Sequence, residues 1–124
     1  WDNPLGDYLS SLEGMLARPD SEMLPAHGAA GGSVHARVRE LLAHHDVRLR
    51  ATLEQVQLHQ GATGLDVAAE LPWTRRERAF STLDGFNQMI AVCETVAHLD
   101  VLVARGELVV DEITADGVER YVTA

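Results

Sequence analysis

The closing segment "ELVVDEITADGVERYVT" limits the β-structure available to this chain. It consists of two β-rich runs separated by Asp116-Gly117, a pair that favours a tight antiparallel hairpin. With Gly117 in the left-handed position of a three-residue loop, Val110 falls opposite Val122 and Glu112 opposite Arg120, so like meets like and charge meets countercharge. The rest of the pattern is helical. Asn3-Pro4 opens a helix with a capping side chain followed by proline, and Leu5, Tyr8, Leu9, Leu12 and Leu16 recur at its spacing until Pro19-Asp20 ends it. A longer pattern runs from Ser33 to about Gln60 and closes at Gly61, with Val34, Val38, Leu41, Leu42, Leu49, Leu53 and Val56 on its apolar face. His45 lies on that face, whereas His44 points elsewhere with Arg37 and Arg48. Thr63 or Gly64 begins a short helix through Leu71, stopped by Pro72, and "TRRERAFS" reads as a connector or a weak helical turn. A strong helix follows over Leu83 to Ala104, with Met89, Val92, Val96, Leu99 and Val103 as its expected buried stripe.

Long helix, short helix, long helix, hairpin is the order of a winged helix-turn-helix. The expected fold is therefore mainly α with a small β-hairpin. Before it, the stretch "EMLPAHGAAGG" places Met23, Leu24 and Pro25 as the end of a short buried strand, followed by His27 and a glycine-rich bend. Taken alone, a His-Gly turn has no chemical specificity.

The composition, 46% hydrophobic and 23% charged, is that of a globular protein, and 124 residues allow one domain or a small domain with an appendage. No apolar run is expected to cross a bilayer, and no basic-then-apolar leader is visible. The first residue is Trp1, as expected for a piece of a longer protein. The net charge is −9, and all ten basic residues are Arg. Such a surface repels phosphate backbones and argues against nucleic-acid partners. Cys93 cannot form an internal disulfide and falls within an apolar helical run, so a buried structural thiol and a reducing cytoplasm are expected.

In order, "NPLGDYLSSLEGM", "MLPAHG", "HHDVRLRATLEQV" and "TVAHLDVLVARGEL" together resemble the C-terminal part of a metallo-β-lactamase-fold hydrolase. The chain is similar to the glyoxalase II-like branch that ends in a winged helix. The resemblance implies that residues 1–32 are a helix-strand remnant of an αββα sandwich, and that residues 33–124 form a linker helix and a winged-helix domain. It implies zinc, one or two ions in the parent enzyme, with His27 as the last metal ligand. Ala26 stands where the family usually has glycine. The family's His-x-His-x-Asp-His cluster has no counterpart in this sequence, so the 124 residues alone are expected to be inert while the parent acts on an ester, thioester or related bond.

Three further residues are candidates for the parent's substrate pocket. His45 on the apolar face reads either as a core histidine or as a pocket residue. Glu94 and His98, four apart on one helix, can pair and hold the imidazole charged, or form an ion pair of little consequence. Arg75, Arg76 and Arg78 form a basic cluster that reads as a solvated loop or as a contact for an acidic group. The expected partners are the parent's small-molecule substrate and a second copy of the chain, with neither nucleic acid nor membrane. The apolar stripe of the first helix is expected to pack against a second copy or to fold back onto the Ser33–Gln60 helix, with self-association favoured. The alternative is a free-standing winged-helix domain that binds DNA or protein.

Overall fold

The computed structural model describes residues 2–24, 31–74 and 76–124. The elements in chain order are α1 (Pro4–Leu16), α2 (Val34–Leu58), α3 (Gly64–Glu70), β1 (Pro72–Trp73), β2 (Arg78–Ala79), a 3-10 turn (Phe80–Thr82), α4 (Gly85–Ala104), β3 (Leu108–Ile113) and β4 (Glu119–Thr123). The chain forms two compact units, Trp1–Val47 and Arg48–Ala124, which divide within α2. The sequence placed its boundary at residues 32/33 instead.

In the first unit, α1 starts as expected. Asn3 Oδ1 accepts from the Gly6 amide, and Pro4 occupies the first turn, where no amide is needed. Leu9 and Leu12 are buried within the chain, whereas Tyr8 and Met15 stay largely exposed. Each buried leucine contributes roughly 1.5–3 kcal/mol, so the centre of the stripe is satisfied without a second copy. Of its two expected destinations, the centre of the stripe takes the one within the chain. The strand expected at Met23–Pro25 is corrected over its described residues. Leu24 is 81% exposed, and pairing there is a single bridge between Glu22 and Ser33. A two-residue apolar pattern cannot tell a strand from an extended loop.

The second unit is built around α4. Thr63 and Asp66 form a reciprocal capping box that starts α3, and Asp84 caps α4 through the Asn87 amide at 2.8 Å. α3 lies so close to α4 that a Cβ added at Gly64 would come within 2.6 Å of a Val96 methyl. The connection from α2 to α3 runs along the hairpin. Gly61 N donates to Tyr121 O, Tyr121 N donates to Ala62 O, and the Thr123 amide donates to Gln60 Oε1. Residues 60–62 thus satisfy the outer edge of β4 and blunt an exposed strand.

The hairpin keeps the expected Glu112–Arg120 pairing and the left-handed Gly117, at φ 85°. Its other end is shifted: Val110 faces Tyr121, and Val109 faces Val122. A bulge between Val110 and Glu112 inserts one residue, which moves the valines by one place.

The buried face of α4 also differs from the expected stripe. Ala91, Thr95, His98, Leu99, Val101 and Leu102 are buried, while Met89 is 55% exposed and Cys93 is exposed. In the first half of α4 the apolar residues Phe86, Met89, Ile90, Ala91, Val92 and Cys93 are spread round most of the helix, so periodicity could not select the inward face. α4 is long and apolar enough by length and composition to cross a bilayer, contrary to the expectation from the sequence, yet Leu99 and Leu102 are core residues of this unit. The described residues of "TRRERAFS" include a strand and a 3-10 turn, not the connector or weak helical turn expected. β1 and β2 pair antiparallel across a tight turn in which Thr74 and Glu77 hold positive φ of 67° and 51°.

Candidate functional site

His27 lies outside the described residues, but its two flanks do not. Met23 N donates to Gly32 O at 3.1 Å and Gly31 N donates to Met23 O at 2.9 Å, so the chain on either side is hydrogen-bonded to itself. Asp20 fastens the base of this segment. Its carboxylate accepts from the His35 amide at 2.9 Å, from Ser33 Oγ at 2.5 Å and from the Ser21 amide at 2.9 Å. These donors, the His35 amide foremost, hold the carboxyl down at about 2. Ser33 Oγ in turn accepts from the Ala36 amide, and His35 Nε2 sits 3.2 Å from the Met15 carbonyl at the end of α1. Backbone geometry on both sides of His27 is thereby fixed by one carboxylate and a serine.

His45 belongs to the same unit and is half-buried. Its ring meets Tyr8 edge-on at 5.8 Å and lies 5.4 Å from the His44 ring, giving a small aromatic cluster between α1 and α2. Nearby, Leu12, Met15, Met23, Val34, Val38 and Leu41 line an apolar groove of about 340 Å³, bordered by Arg37. The sequence did not single out this groove, although Val34, Val38 and Leu41 stood on its expected apolar face.

His98 and Glu94 belong to the second unit. His98 is 7% exposed, and its Nδ1 lies 2.7 Å from the backbone carbonyl of Glu94. A carbonyl only accepts, so Nδ1 carries the proton in this contact. This contact is to the backbone oxygen, not to the carboxylate that the sequence paired with His98, and the histidine lies in the core rather than at the surface. Arg48, expected to point outward, is half-buried over Trp73. Its guanidinium carbon lies 4.5 Å from the ring centroid, and Nη1 donates to Pro72 O at 2.9 Å. Burial pushes the Arg48 pKa down, and the Glu94 carboxylate works against that shift. Arg75 lies outside the described residues. Arg76 and Arg78 are exposed, and Arg78 Nη2 donates to Thr82 O at 2.8 Å.

The second unit also has a polar cleft of about 410 Å³ that the sequence did not flag, bordered by His59, Asp66, Glu70 and Arg120. Two of its charged groups, Asp66 and Arg120, already hold the fold together. Asp66 closes the α3 cap, and Arg120 reaches the Gly61 carbonyl and Glu112. Behind β4, the buried Tyr121 hydroxyl donates to Glu119 at 2.9 Å, and burial followed by that carboxylate pushes its pKa well above the ordinary range. Burial raises Asp100 as well, with Glu119 adding to the shift. Among the described residues no three His, Cys, Asp or Glu side chains stand together as a metal site.

No family model matches the chain, and no curated protein matches it. A solved structure does: the crystal structure of a beta-lactamase domain protein from Burkholderia ambifaria, with a TM-score of 0.78 and 35% sequence identity. The alignment covers 99% of this chain and 34% of that one, so the chain spans about a third of the length of the solved protein it matches. Essentially all of this chain therefore has the fold of part of a beta-lactamase domain protein.

Proposed function

We propose that the chain is the C-terminal part of a metal-dependent hydrolase of the metallo-β-lactamase superfamily, from the glyoxalase II-like branch. In this reading His27 supplies the last metal-ligating imidazole, and the second unit is a winged helix that covers the active site or mediates subunit contacts. The similarity over 99% of this chain to a third of a beta-lactamase domain protein carries the proposal. The winged-helix reading is supported by the succession of α2, the strand-like residues 60–62, α3, α4 and the β3–β4 hairpin, with α3 packed against α4. His45 is proposed as a pocket residue because it is half-buried in the same unit as the flanks of His27. His98 and Glu94 fit a structural role better, since their contact is local to α4.

The described residues do not fit a zinc site by themselves, so no reaction step through zinc is derived for this chain. A hydrolytic metal centre needs about three protein ligands and an open position, and His27 would contribute one. The test uses the longer protein that carries this sequence. Its zinc content and its hydrolysis of ester, thioester and lactam substrates are measured with His27 intact and as His27→Ala. Loss of a metal equivalent together with a 100-fold or greater fall in turnover, a scale on the order of that seen when groups around a metal are lost, is expected. Full activity in His27→Ala, or turnover by the 124 residues alone that depends on His27, would sink the assignment.

A further inference from the structure

We propose that Asp116–Gly117 is a latent site of isoaspartate formation, kept closed by the hairpin turn, and that Thr114 is the residue that closes it. The chemistry needs only the two groups of this dipeptide and water. The Gly117 amide nitrogen attacks Cγ of Asp116, and the new N–Cγ bond closes a succinimide ring. The protonated carboxyl gives up its hydroxyl, which leaves with the amide proton as water. A water molecule then opens the ring at either carbonyl, restoring aspartate or leaving the main chain to run through Cγ as isoaspartate. Glycine at the second position favours the attack, because no side chain hinders the approach or the backbone rotation that it requires. Asp116 and Gly117 are both exposed, so water reaches the bond.

Both reacting groups are bound to Thr114. The Gly117 amide donates to the Thr114 carbonyl at 2.9 Å, a bond that must break before the nitrogen can attack. The Thr114 hydroxyl donates to Asp116 Oδ1 and accepts from the Val118 amide at 3.0 Å. That hydroxyl foremost, then the Asp116 amide and the field of Arg120, hold the carboxyl below its ordinary range. An ionised carboxylate has no hydroxyl ready to leave. Thr114 is itself fixed, since its own amide donates to the Val118 carbonyl at 2.8 Å. The chain has a second Asp–Gly pair, Asp84–Gly85, held differently. Asp84 accepts from the Asn87 amide at 2.8 Å and from its side chain at 3.1 Å, and Gly85 is the first residue of α4. Rotation there must unwind the start of a long helix, whereas the hairpin tip opens by breaking a few local hydrogen bonds. Conversion at residue 116 would add one carbon to the main chain of the turn. The Gly117–Thr114 bond would lose its spacing, and the tip would no longer set Glu112 opposite Arg120. None of this depends on the hydrolase reading, since neither His27 nor a metal takes part.

The test incubates the 124-residue chain at mildly acidic pH and physiological temperature, beside a free peptide of residues 113–119. Peptide mapping then reads isoaspartate at each Asp–Gly pair, and thermal melting confirms that each variant is folded. Wild type is expected to convert at Asp116 several-fold more slowly than the peptide. Thr114→Val keeps the shape of the side chain and loses the hydroxyl. It is expected to bring the rate at Asp116 towards that of the peptide and to leave Asp84 unchanged, while Thr114→Ser stays as slow as wild type. The rate rises on acidification as the carboxyl takes up its proton. The midpoint of that rise should lie at higher pH in Thr114→Val than in wild type, a shift that greater mobility of the tip does not by itself produce. Wild type converting as fast as the peptide overturns the proposal. So does a Thr114→Val chain that stays as slow as wild type, or one whose midpoint does not move.

Discussion

Asp20 supports more of the first unit than its exposure suggests. Its carboxylate accepts from two backbone amides and one hydroxyl, so the start of α2 and the segment after α1 share one anchor. Because the folded pKa is depressed from 3.8 to about 2, the ionised form stabilises the fold fully above about pH 4, and that contribution is lost as pH falls through 2. Nuclear magnetic resonance titration should place the Asp20 carboxyl near 2, and titration at an ordinary carboxylate value would contradict the hydrogen-bond network. Asp20→Ala should leave α4 intact while protease cleavage between residues 20 and 34 quickens several-fold at neutral pH. Little of this was legible in sequence, where Pro19-Asp20 registered only as a helix stop. The acceptor role depends on Ser33 and His35 returning to Asp20 from more than ten residues away.

At the scale of elements, helix starts were legible where their punctuation is chemical: Asn3-Pro4 and Thr63-Gly64 each supply a cap whose partner lies within one turn, whereas the Asp84 cap, which starts α4 at Gly85 and not at Leu83, went unread. Inward faces were less legible. α1 was read with the right apolar positions but with two possible destinations, since periodicity names a stripe and not what covers it. With Leu9 and Leu12 4% and 6% exposed, replacing both with Ser should destabilise the first unit by at least the ~2–5 kcal/mol typical of one buried leucine lost. Urea unfolding monitored at Tyr8 tests this. A double variant as stable as the wild type would mean that α1 is an appendage. The hairpin shows the same limit, since the Asp116-Gly117 turn fixed its tip while the bulge near Asp111 altered the register further along.

At the scale of the whole molecule, the order of elements was legible and the site was not, because one candidate ligand in a glycine-rich turn says nothing of the groups that would complete it. Charge acts at this scale as well. The net charge of −9, the acids Asp111, Glu112, Asp116 and Glu119 on the hairpin, and an α4 without Lys or Arg motivate the proposal that this chain does not bind DNA. Fluorescence anisotropy with random duplex at physiological salt should show no binding at micromolar protein, and salt-sensitive binding there would favour the DNA-reading alternative. The buried hydroxyls of Thr52 and Thr95 have a consequence for how such a chain changes over generations. Each donates to the carbonyl four residues back in its own helix, Arg48 and Ala91 respectively. At these two positions polarity is settled within a single helix, and losing either hydroxyl leaves no hydrogen-bond donor unpaired in another element. Helices built this way can accumulate changes independently, and two descendants can lose nearly all shared spelling while keeping the same shape.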